Sequence, residues 1–262
     1  MKDLSNETMV QIQKEGASFL QFRQLKEKEP ELLHGYTMKP LDFQWGEKFD
    51  QSFQTLQNSQ NVKGLWIKTR QTHSDHIRVI RQEEENLPQR LDDTDGVVTN
   101  KTGLLVLTTF ADCTPILIYD PKKHVIANVH SGWRGTVQTI GKKALEIMQK
   151  EFDVKPQDCI ATIGPNIQAC CFEVEADVQK IFAEKFSHLS VWKDCIMQKG
   201  NKYWIDTAKI NKAVLAQMGI PEENIVESHI CTKCQADVLH SYRAEKEASG
   251  RSIMFTRLQE RR

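Results

Sequence analysis

The hydrophobic positions near the start of the chain predict a hairpin followed by a helix. Two mainly apolar runs, Met9–Ile12 and Ser18–Phe22, flank the turn-forming pair Glu15-Gly16. Short apolar runs separated by a glycine-containing turn are typical of paired antiparallel strands. The period then changes to that of a helix, whose single apolar face is formed by three large side chains: Phe49, Phe53 and Leu56.

The centre of the chain is rich in predicted strands. Turn signals such as Asp95-Gly96 and Asp120-Pro121 separate apolar or β-branched runs. Six such runs predict strands: Gly64–Thr69, His76–Arg81, Val97–Thr99, Leu104–Phe110, Ile116–Tyr119 and Val125–Val129.

Helical periods dominate after Gly135. The first predicted helix begins at Thr136 as its N-cap residue. A second carries apolar residues from Val174 to Phe186, and a third begins after Asp206 and ends at Gly219. Strands first and helices later predict a mixed α+β fold rather than a doubly wound array. The chain contains no GxGxxG or Walker A motif, which argues against nucleotide folds of those kinds.

Composition narrows the class of protein. The 262 residues suit a single domain spanning 1–262, and 35 basic residues balance 35 acidic ones. A zero net charge argues against a general basic surface for nucleic acid or an anionic membrane. No apolar run approaches the ~18 residues of a membrane span, and the N-terminus lacks the apolar region of a secretory signal. We therefore expect a cytoplasmic protein whose seven cysteines are reduced.

Reactive side chains cluster in three segments that directly follow predicted strands. These segments are Gln71–Ser74, Ala111–Pro115 and His130–Gly135. Neighbouring strands that end at one edge of a sheet bring such residues close together. The three segments therefore predict a functional site.

A metal site is one interpretation of these segments. Imidazole and thiolate are ligands that zinc prefers, and three protein ligands plus water form a catalytic site. His73, Cys113 and His130 would supply such a set. Spacing alone leaves two alternatives open: separately satisfied core residues, or a Cys–His nucleophile pair.

The third segment also has features of an anion site. Gly132 and Gly135 allow close backbone approach, and the Arg134 guanidinium suits phosphate or carboxylate. The predicted helix start near Thr136 would direct N–H groups to the same region. Trp133 is compatible with stacking on a planar base and equally with a core position.

The remaining cysteines predict no second metal site. Cys231 and Cys234 form a C-x-x-C motif, but no second pair lies at zinc-ribbon spacing. Cys170 and Cys171 are adjacent, which favours packing or a place in a pocket wall. We also expect ordinary structural roles for His76 and His240.

Taken together, the motifs resemble those of the laccase-domain family. The resemblance covers roughly Leu32 to the C-terminus, and the motifs occur in this order: Gln71-Thr72-His73, Asp95–Thr99, Ala111–Ile116, His130–Gly135, Ile163-Gly164-Pro165, Cys171–Val174, Cys231-Thr232 and Ser241-Tyr242-Arg243. Bacterial members were first described as multicopper polyphenol oxidases and are now described as purine nucleoside phosphorylases with adenosine deaminase activity.

The resemblance implies a fold, a cofactor and substrates. The fold would be a two-sheet α/β sandwich with flanking helices. Positions matching the family's zinc ligands are His73, Cys113 and His130. The implied partners are small molecules, namely phosphate and the nucleosides adenosine, inosine, guanosine and methylthioadenosine, with zinc favoured over copper. The sequence does not indicate an oligomeric state.

Three further residues are candidates for catalysis. A carboxylate beside the metal, Asp112, would transfer a proton during deamination or instead orient its neighbours. Arg134 and Arg243 would bind phosphate during phosphorolysis.

Alternative functions remain distinguishable. A laccase-type copper oxidase needs histidine-rich copper sites, whereas the eight histidines here are scattered. A hydrolase would use Cys113 as nucleophile and His130 as base, and its covalent adduct would reveal it. Some family members are linked to editing of peptidoglycan precursors, and the sequence does not separate that role from nucleoside chemistry.

One segment departs from the family pattern. Family members often carry an Arg-Gly-Gly run soon after a His-Gly-Phe segment. Here His34-Gly35-Tyr36 is followed by Thr37–Leu41, which contains neither that arginine nor the glycine pair. If the family's arginine contacts substrate, Lys39 would have to replace it as a point charge.

Overall fold

A computed structural model describes residues 2–261, of which a large part lies in β-strands. The described strands are β1 (Met9–Lys14), β2 (Ala17–Phe22), β3 (Leu32–Thr37), β4 (Trp66–Arg70), β5 (Ile77–Ile80), β6 (Arg90–Asp92), β7 (Gly96–Thr99), β8 (Leu105–Phe110), β9 (Thr114–Asp120), β10 (Val125–Ser131), β11 (Ile160–Ile163), β12 (Glu173–Val174), β13 (Ile196–Lys199), β14 (Lys202–Ile205), β15 (Ile225–Glu227) and β16 (Ser252–Leu258).

Helices are fewer and flank the strands. The described α-helices are α1 (Arg23–Lys28), α2 (Glu47–Gln60), α3 (Trp133–Val137), α4 (Ile140–Phe152), α5 (Ala176–Phe186), α6 (Thr207–Gln217) and α7 (Tyr242–Glu245). None of these described helices has the length and apolar character needed to cross a membrane.

The strands form two large mixed sheets and one small one. The first sheet has the order β1-β2-β3-β16-β8-β4-β6, and the second has the order β15-β11-β9-β10-β7-β5. Most neighbouring strands are antiparallel. In the first sheet, β4 runs parallel to both β8 and β6, and in the second sheet β5 runs parallel to β7 and β11 runs parallel to β15. The small antiparallel sheet has the order β12-β14-β13.

Apolar side chains pack the two large sheets face to face and cover their outer faces with helices. Between the sheets lie Tyr36, Phe110, Leu117, Ile126 and Met254. On the outer face of the first sheet, α2 contributes its apolar stripe to a cluster with Leu105, Leu107 and Phe255. Helices α4 and α6 cover the second sheet. The expected α+β two-sheet sandwich with flanking helices is confirmed.

A buried polar bridge joins the two sheets. The Asn128 side chain on β10 accepts a bond from the Thr108 hydroxyl at 2.5 Å and donates to the Thr256 hydroxyl at 3.0 Å. All three residues are fully buried. Because an unpaired buried amide is costly, these bonds favour one alignment of β10 against β8 and β16.

The elements predicted from strong local patterns are confirmed. Strands β1 and β2 form the expected hairpin, with Glu15 and Gly16 at positive φ in its turn. Helix α2 buries Phe49, Phe53 and Leu56 on one face, as predicted. The side chain of Asp206 caps α6 by accepting from the backbone N–H of Lys209 at 2.8 Å.

The helix predicted from Thr136 was wrong in its start and its continuity. Helix α3 begins three residues earlier at Trp133, and Thr139 at φ 55° separates it from α4. Thr136 is not an N-cap, because it lies within α3 and its hydroxyl contacts the Ser131 hydroxyl at 2.9 Å. Thr136 therefore pairs with a buried hydroxyl instead of capping a helix.

Two other predictions need correction. Val174 belongs to β12, and the helix expected there begins at Ala176. Strands β3 and β16 were not predicted, although they lie next to each other at the middle of the first sheet. Both carry buried polar residues such as His34 and Ser252, which obscure the hydrophobic pattern of a strand.

The buried histidine of β3 is expected to make the fold sensitive to acid. His34 is 2% exposed, and its Nε2 accepts the backbone N–H of Phe22 at 3.0 Å. Burial lowers the pKa of His34 to about 4 from its ordinary 6.5. Protonation would add a buried charge and remove the acceptor of this bond.

We expect His34 to contribute stability that is present above pH 6.5 and lost as pH falls toward 4, because its pKa is lower in the folded state. The loss should reach about 3 kcal/mol. Urea unfolding of His34→Gln and wild-type protein across this range should show a shallower pH dependence for the variant. His188→Gln, at an exposed histidine, is the matched control. Parallel curves for wild type and His34→Gln would contradict this explanation.

Candidate metal centre

The three segments expected to form a site meet where the two large sheets come together. His73 lies in the loop from β4 of the first sheet to β5 of the second, and Cys113 lies in the loop from β8 to β9. His130 lies near the end of β10. Their potential ligand atoms all lie within 4.8 Å of one another. The sequence therefore predicted the convergence of these side chains, and their metal binding stays a prediction.

A buried carboxylate organises two of the three side chains. Asp95 is fully buried and accepts a bond from Nδ1 of His130 at 2.8 Å. It also accepts the backbone N–H groups of Thr72, His73 and Ser74 at 3.0, 3.1 and 3.0 Å. These bonds hold the His73 loop, in which His73 itself has φ 61°.

The charge of Asp95 is stabilised by its donors. Burial alone would raise the pKa of this carboxyl, but the His130 imidazole and the Ser74 hydroxyl hold it well below its usual range. The ionised carboxylate determines which nitrogen of His130 carries hydrogen. Because Nδ1–H donates to Asp95, Nε2 is the nitrogen left for a ligand.

Cys113 lies in an environment that favours its thiolate. Burial would raise its pKa, but the charge of His130 and bonds from His130 and His73 lower the pKa of Cys113 to about 6. Burial conversely lowers the pKa of His130, and the charge of Cys113 with the bond to Asp95 raises it to about 9. A thiolate is the form of cysteine that binds metal.

The spacing of these donors fits a tetrahedral metal. Sγ of Cys113 and Nε2 of His73 are 3.7 Å apart. In a tetrahedral site with ordinary zinc–sulfur and zinc–nitrogen bond lengths, the sulfur and the nitrogen lie about 3.6 Å apart. Gly132 leaves room for this approach, since a Cβ there would lie 2.7 Å from Cδ2 of His73. Three protein donors match the open coordination of catalytic rather than structural zinc.

The donor cluster opens into a cavity of about 490 Å³. This volume lies within the range of sites that bind small molecules. The remaining walls combine polar, aromatic and aliphatic side chains: Gln71, Thr109, Ala111, Asp112, Thr114, Ser131, Trp133, Ile167, Phe172, Thr207, Tyr242, Arg243 and Arg251. The cavity therefore offers stacking surfaces and cationic groups beside the candidate metal ligands.

Asp112 lies in the cavity wall next to Cys113, with both carboxylate oxygens engaged. Oδ1 accepts the Thr232 hydroxyl at 2.6 Å, and Oδ2 accepts the backbone N–H of Arg243 at 2.6 Å. Asp112 is 9% exposed and has φ 88°. The carboxylate thus links the Cys113 loop to two segments near the C-terminus.

Two arginines line the cavity, and only one was predicted. Nη1 of Arg243 donates to the carbonyls of Cys171 and Glu173 at 3.3 and 3.1 Å. Nη1 of Arg251 donates to the carbonyls of Ser249 and Gly250, both at 2.9 Å. Sequence reasoning missed Arg251, because an arginine before β16 carries no signal that it faces the loops of another sheet.

Arg134, predicted to bind phosphate, does not line the cavity among the described residues. It is exposed, and its guanidinium carbon lies 4.4 Å from the centre of the Trp133 ring. The ring itself lines the cavity. The short helix α3 does not begin at Thr136, so the predicted N–H donors at that start are absent from the described structure.

Three other side chains considered from the sequence are engaged outside the cavity. Nζ of Lys39 lies 2.6 Å from both the Glu245 carboxylate and the Ala236 carbonyl, so its charge is already paired. His76 is exposed beside a neighbouring carboxylate, and His240 contacts a backbone carbonyl. Lys39 does not replace the family's arginine as a cation in this cavity.

The most informative residue missed by sequence reasoning is Asp95. Its position before β7 predicted a turn, but not the bond to His130. The available signal was a carboxylate two residues before the apolar run Val97-Val98. Such a carboxylate is costly to bury unless it has several donors.

The fold and the His–Cys–His pocket together define a class of laccase-like protein. The family model described as multi-copper polyphenol oxidoreductase laccase matches residues 46–259. The chain belongs to this family.

Two curated relatives carry names that describe activities. Purine nucleoside phosphorylase YlmD of Bacillus subtilis (strain 168) is 29% identical over 202 residues, which cover 74% of this chain and 71% of that protein. Adenosine deaminase RL5, from an unknown prokaryotic organism, is 33% identical over 194 residues, with coverage of 71% and 72%.

A solved structure shares the fold. The crystal structure of YlmD from Geobacillus stearothermophilus superposes with a TM-score of 0.85 at 21% identity, covering 99% of this chain and 100% of that one. At this identity the likeness shows the fold alone.

Replacing Asp95 by asparagine should weaken metal binding, because the amide NH₂ cannot accept from the donors that orient His130 and the His73 loop. We expect the affinity for a divalent metal such as zinc to fall about 10- to 100-fold. Competition titration against a chelator measures this change.

Asp93→Asn is the matched control, since Asp93 also contacts Thr72 in the same loop but is exposed. We expect that control to retain the wild-type affinity. Folded Asp95→Asn protein with unchanged affinity would show that Asp95 does not position the ligands.

Proposed function

We propose that this protein is a zinc-dependent purine nucleoside phosphorylase that also deaminates adenosine, acting as a single domain. The observation that carries the proposal is the convergence of His73, Cys113 and His130 at a cavity large enough for a nucleoside. The names of the two curated relatives supply the reaction classes. The proposed nucleosides are adenosine, inosine, guanosine and methylthioadenosine.

The donor set supports zinc over a multicopper centre. In the described part of the chain, only one candidate metal group contains histidine, and it has two imidazoles and one thiolate. A laccase needs several histidine-rich copper sites. When bound, zinc supplies Lewis acidity that brings the pKa of a coordinated water toward neutrality, which suits hydrolytic deamination.

Aromatic side chains provide surfaces for a purine. Trp133, Phe172 and Tyr242 line the cavity, and planar bases stack on aromatic rings. The Tyr242 hydroxyl donates to the Glu247 carboxylate at 2.8 Å, and Arg134 covers the Trp133 ring. These contacts orient the Tyr242 and Trp133 rings at the cavity wall.

For Asp112 we propose a positioning role rather than proton transfer. Each of its oxygens already accepts one short bond, from Thr232 or from the backbone of Arg243. The carboxylate therefore holds the Cys113 loop and the Arg243 backbone in fixed relation. Of the two roles that the sequence leaves open for Asp112, this arrangement supports the second.

Phosphorolysis needs a cation for the attacking phosphate. A phosphate oxygen forms a bond to the sugar carbon, the bond from that carbon to the purine breaks, and the departing base takes up a proton. Nη1 of Arg243 contacts two carbonyls, so Nε and Nη2 are the donors proposed for phosphate. Arg251 adds positive charge to the same cavity.

His73→Ala and Cys113→Ala should each lose the zinc bound at the cavity and reduce both phosphorolysis and deamination to background. Elemental analysis, combined with a nucleoside panel assayed with and without phosphate, measures both quantities. His76→Ala and Cys159→Ala are the matched controls, because these residues do not line the cavity. Full activity in a variant that lacks the cavity zinc would refute the zinc-dependent function.

Arg243→Gln should raise the KM for phosphate roughly tenfold or more, because a charged donor to phosphate is lost. Adenosine deamination, which consumes water instead, should change little. Steady-state kinetics of both reactions test this split.

Arg134→Gln is the comparison variant, and we expect a smaller change in the KM for phosphate because Arg134 is exposed outside the cavity lining. Equal losses of phosphorolysis and deamination in Arg243→Gln would contradict the phosphate assignment.

A further inference from the structure

A second group of potential metal ligands consists of four cysteines. The sulfur atoms of Cys170, Cys171, Cys231 and Cys234 all lie within 4.8 Å of one another. Two of these separations are 3.7 Å, between Cys170 and Cys234, and 3.5 Å, between Cys171 and Cys234. All four are free thiols.

Backbone contacts bring the two cysteine pairs together from distant parts of the chain. Asn166 forms a β-bridge with Cys231 and donates its backbone N–H to the Ile230 carbonyl at 3.2 Å. The backbone N–H of Thr232 in turn donates to the Asn166 carbonyl at 3.0 Å. The adjacent pair Cys170-Cys171 thus supplies the partner for the C-x-x-C motif that the sequence spacing did not reveal.

We propose that these four thiols bind a zinc ion in a closed, tetrahedral structural site. Sulfurs around zinc at a bond length of about 2.3 Å lie about 3.8 Å apart, which is close to both of these separations. Four protein ligands leave no open position, in contrast to the three donors in the cavity. The two metals therefore have different chemical roles.

The local backbone also suits a metal ligand. The backbone N–H groups of Gln168 and Cys234 donate to the sulfur of Cys231. Such N–H donors partly neutralise the negative charge that four thiolates bring to one cation. Cys231 is buried, whereas Cys170 and Cys234 are exposed, so the site lies at the surface, with its innermost ligand toward the protein.

This zinc would stabilise the part of the cavity wall that carries Phe172, Arg243 and Asp112. Phe172, which follows Cys171 directly, lines the cavity, and the Cys171 carbonyl accepts a bond from Arg243. On the other loop, Thr232 follows Cys231 and donates to Asp112. Binding of one ion to both loops would therefore hold the aromatic, cationic and carboxylate groups of that wall together.

The test separates the two metal sites. A His73→Ala/Cys113→Ala variant lacks ligands of the cavity site, so it should purify under reducing conditions with about one equivalent of zinc. Adding Cys231→Ser and Cys234→Ser should reduce zinc to background. Adding Cys159→Ala instead, which removes a buried thiol elsewhere, should leave the zinc content unchanged.

A spectroscopic measurement avoids dependence on the folding of the cysteine variants. Cobalt substituted into the His73→Ala/Cys113→Ala protein should give tetrahedral visible bands and intense thiolate charge-transfer absorption, both abolished by zinc. Zinc should also protect the four thiols from alkylation and raise the melting temperature of this variant.

Several outcomes would overturn the proposal. One is a His73→Ala/Cys113→Ala protein that contains no zinc and gives no thiolate–cobalt spectrum. Another is zinc that is retained after Cys231 and Cys234 are replaced. Iron in place of zinc, or a mass spectrum showing disulfides among the four cysteines, would also overturn it. Because metal content is the readout, the result does not depend on whether the nucleoside activities exist. If the His73→Ala/Cys113→Ala protein loses the nucleoside activities and also contains no zinc, the four-cysteine site is refuted and the proposed function stands.

Discussion

The buried carboxylate of Asp95 is the interaction on which the candidate site depends. A fully buried charge is tolerated only when donors surround it, and here these are His130, the Ser74 hydroxyl and three consecutive backbone N–H groups. The same group therefore orients one candidate ligand through its ring and another through its backbone. If Asp95 lost its charge, the His73 loop and the His130 ring would both lose their fixed positions.

The two-sheet architecture explains why these groups meet. The loops carrying His73 and Cys113 both pass from the first sheet to the second, and His130 lies on the second. Sliding one sheet over the other would separate the donors. The buried bridge of Asn128 to Thr108 and Thr256 opposes such sliding, because any shift would leave polar groups unpaired. The packing of the two sheets therefore also fixes the geometry of the site.

Sequence reasoning succeeded where the signal was local. The hairpin turn at Glu15-Gly16, the apolar face of α2 and the Asp206 cap are each encoded within a few residues. The donors His73, Cys113 and His130 could be predicted because each lies at or shortly after the end of a strand. The Asp95–His130 bond, the inward position of Arg251 and the four-cysteine group could not be predicted, since each depends on long-range contacts. The place of Arg134 outside the cavity lining could not be predicted either, because the direction of its side chain depends on where α3 begins.

The cavity combines two structural environments with different tolerance of change. Its candidate metal ligands lie at strand ends, held by buried hydrogen bonds, whereas Phe172, Tyr242 and Arg243 lie on short or irregular segments. Segments of the second kind are generally more variable and mobile. Substitutions there would alter which of the proposed nucleosides fits without disturbing the candidate metal ligands. The short bonds of Asp112, together with a zinc ion bound by the four cysteines, would limit the mobility of these segments by connecting them to the Cys113 loop. Substrate choice in this protein would then depend on how firmly the wall is held, as well as on the side chains that it presents.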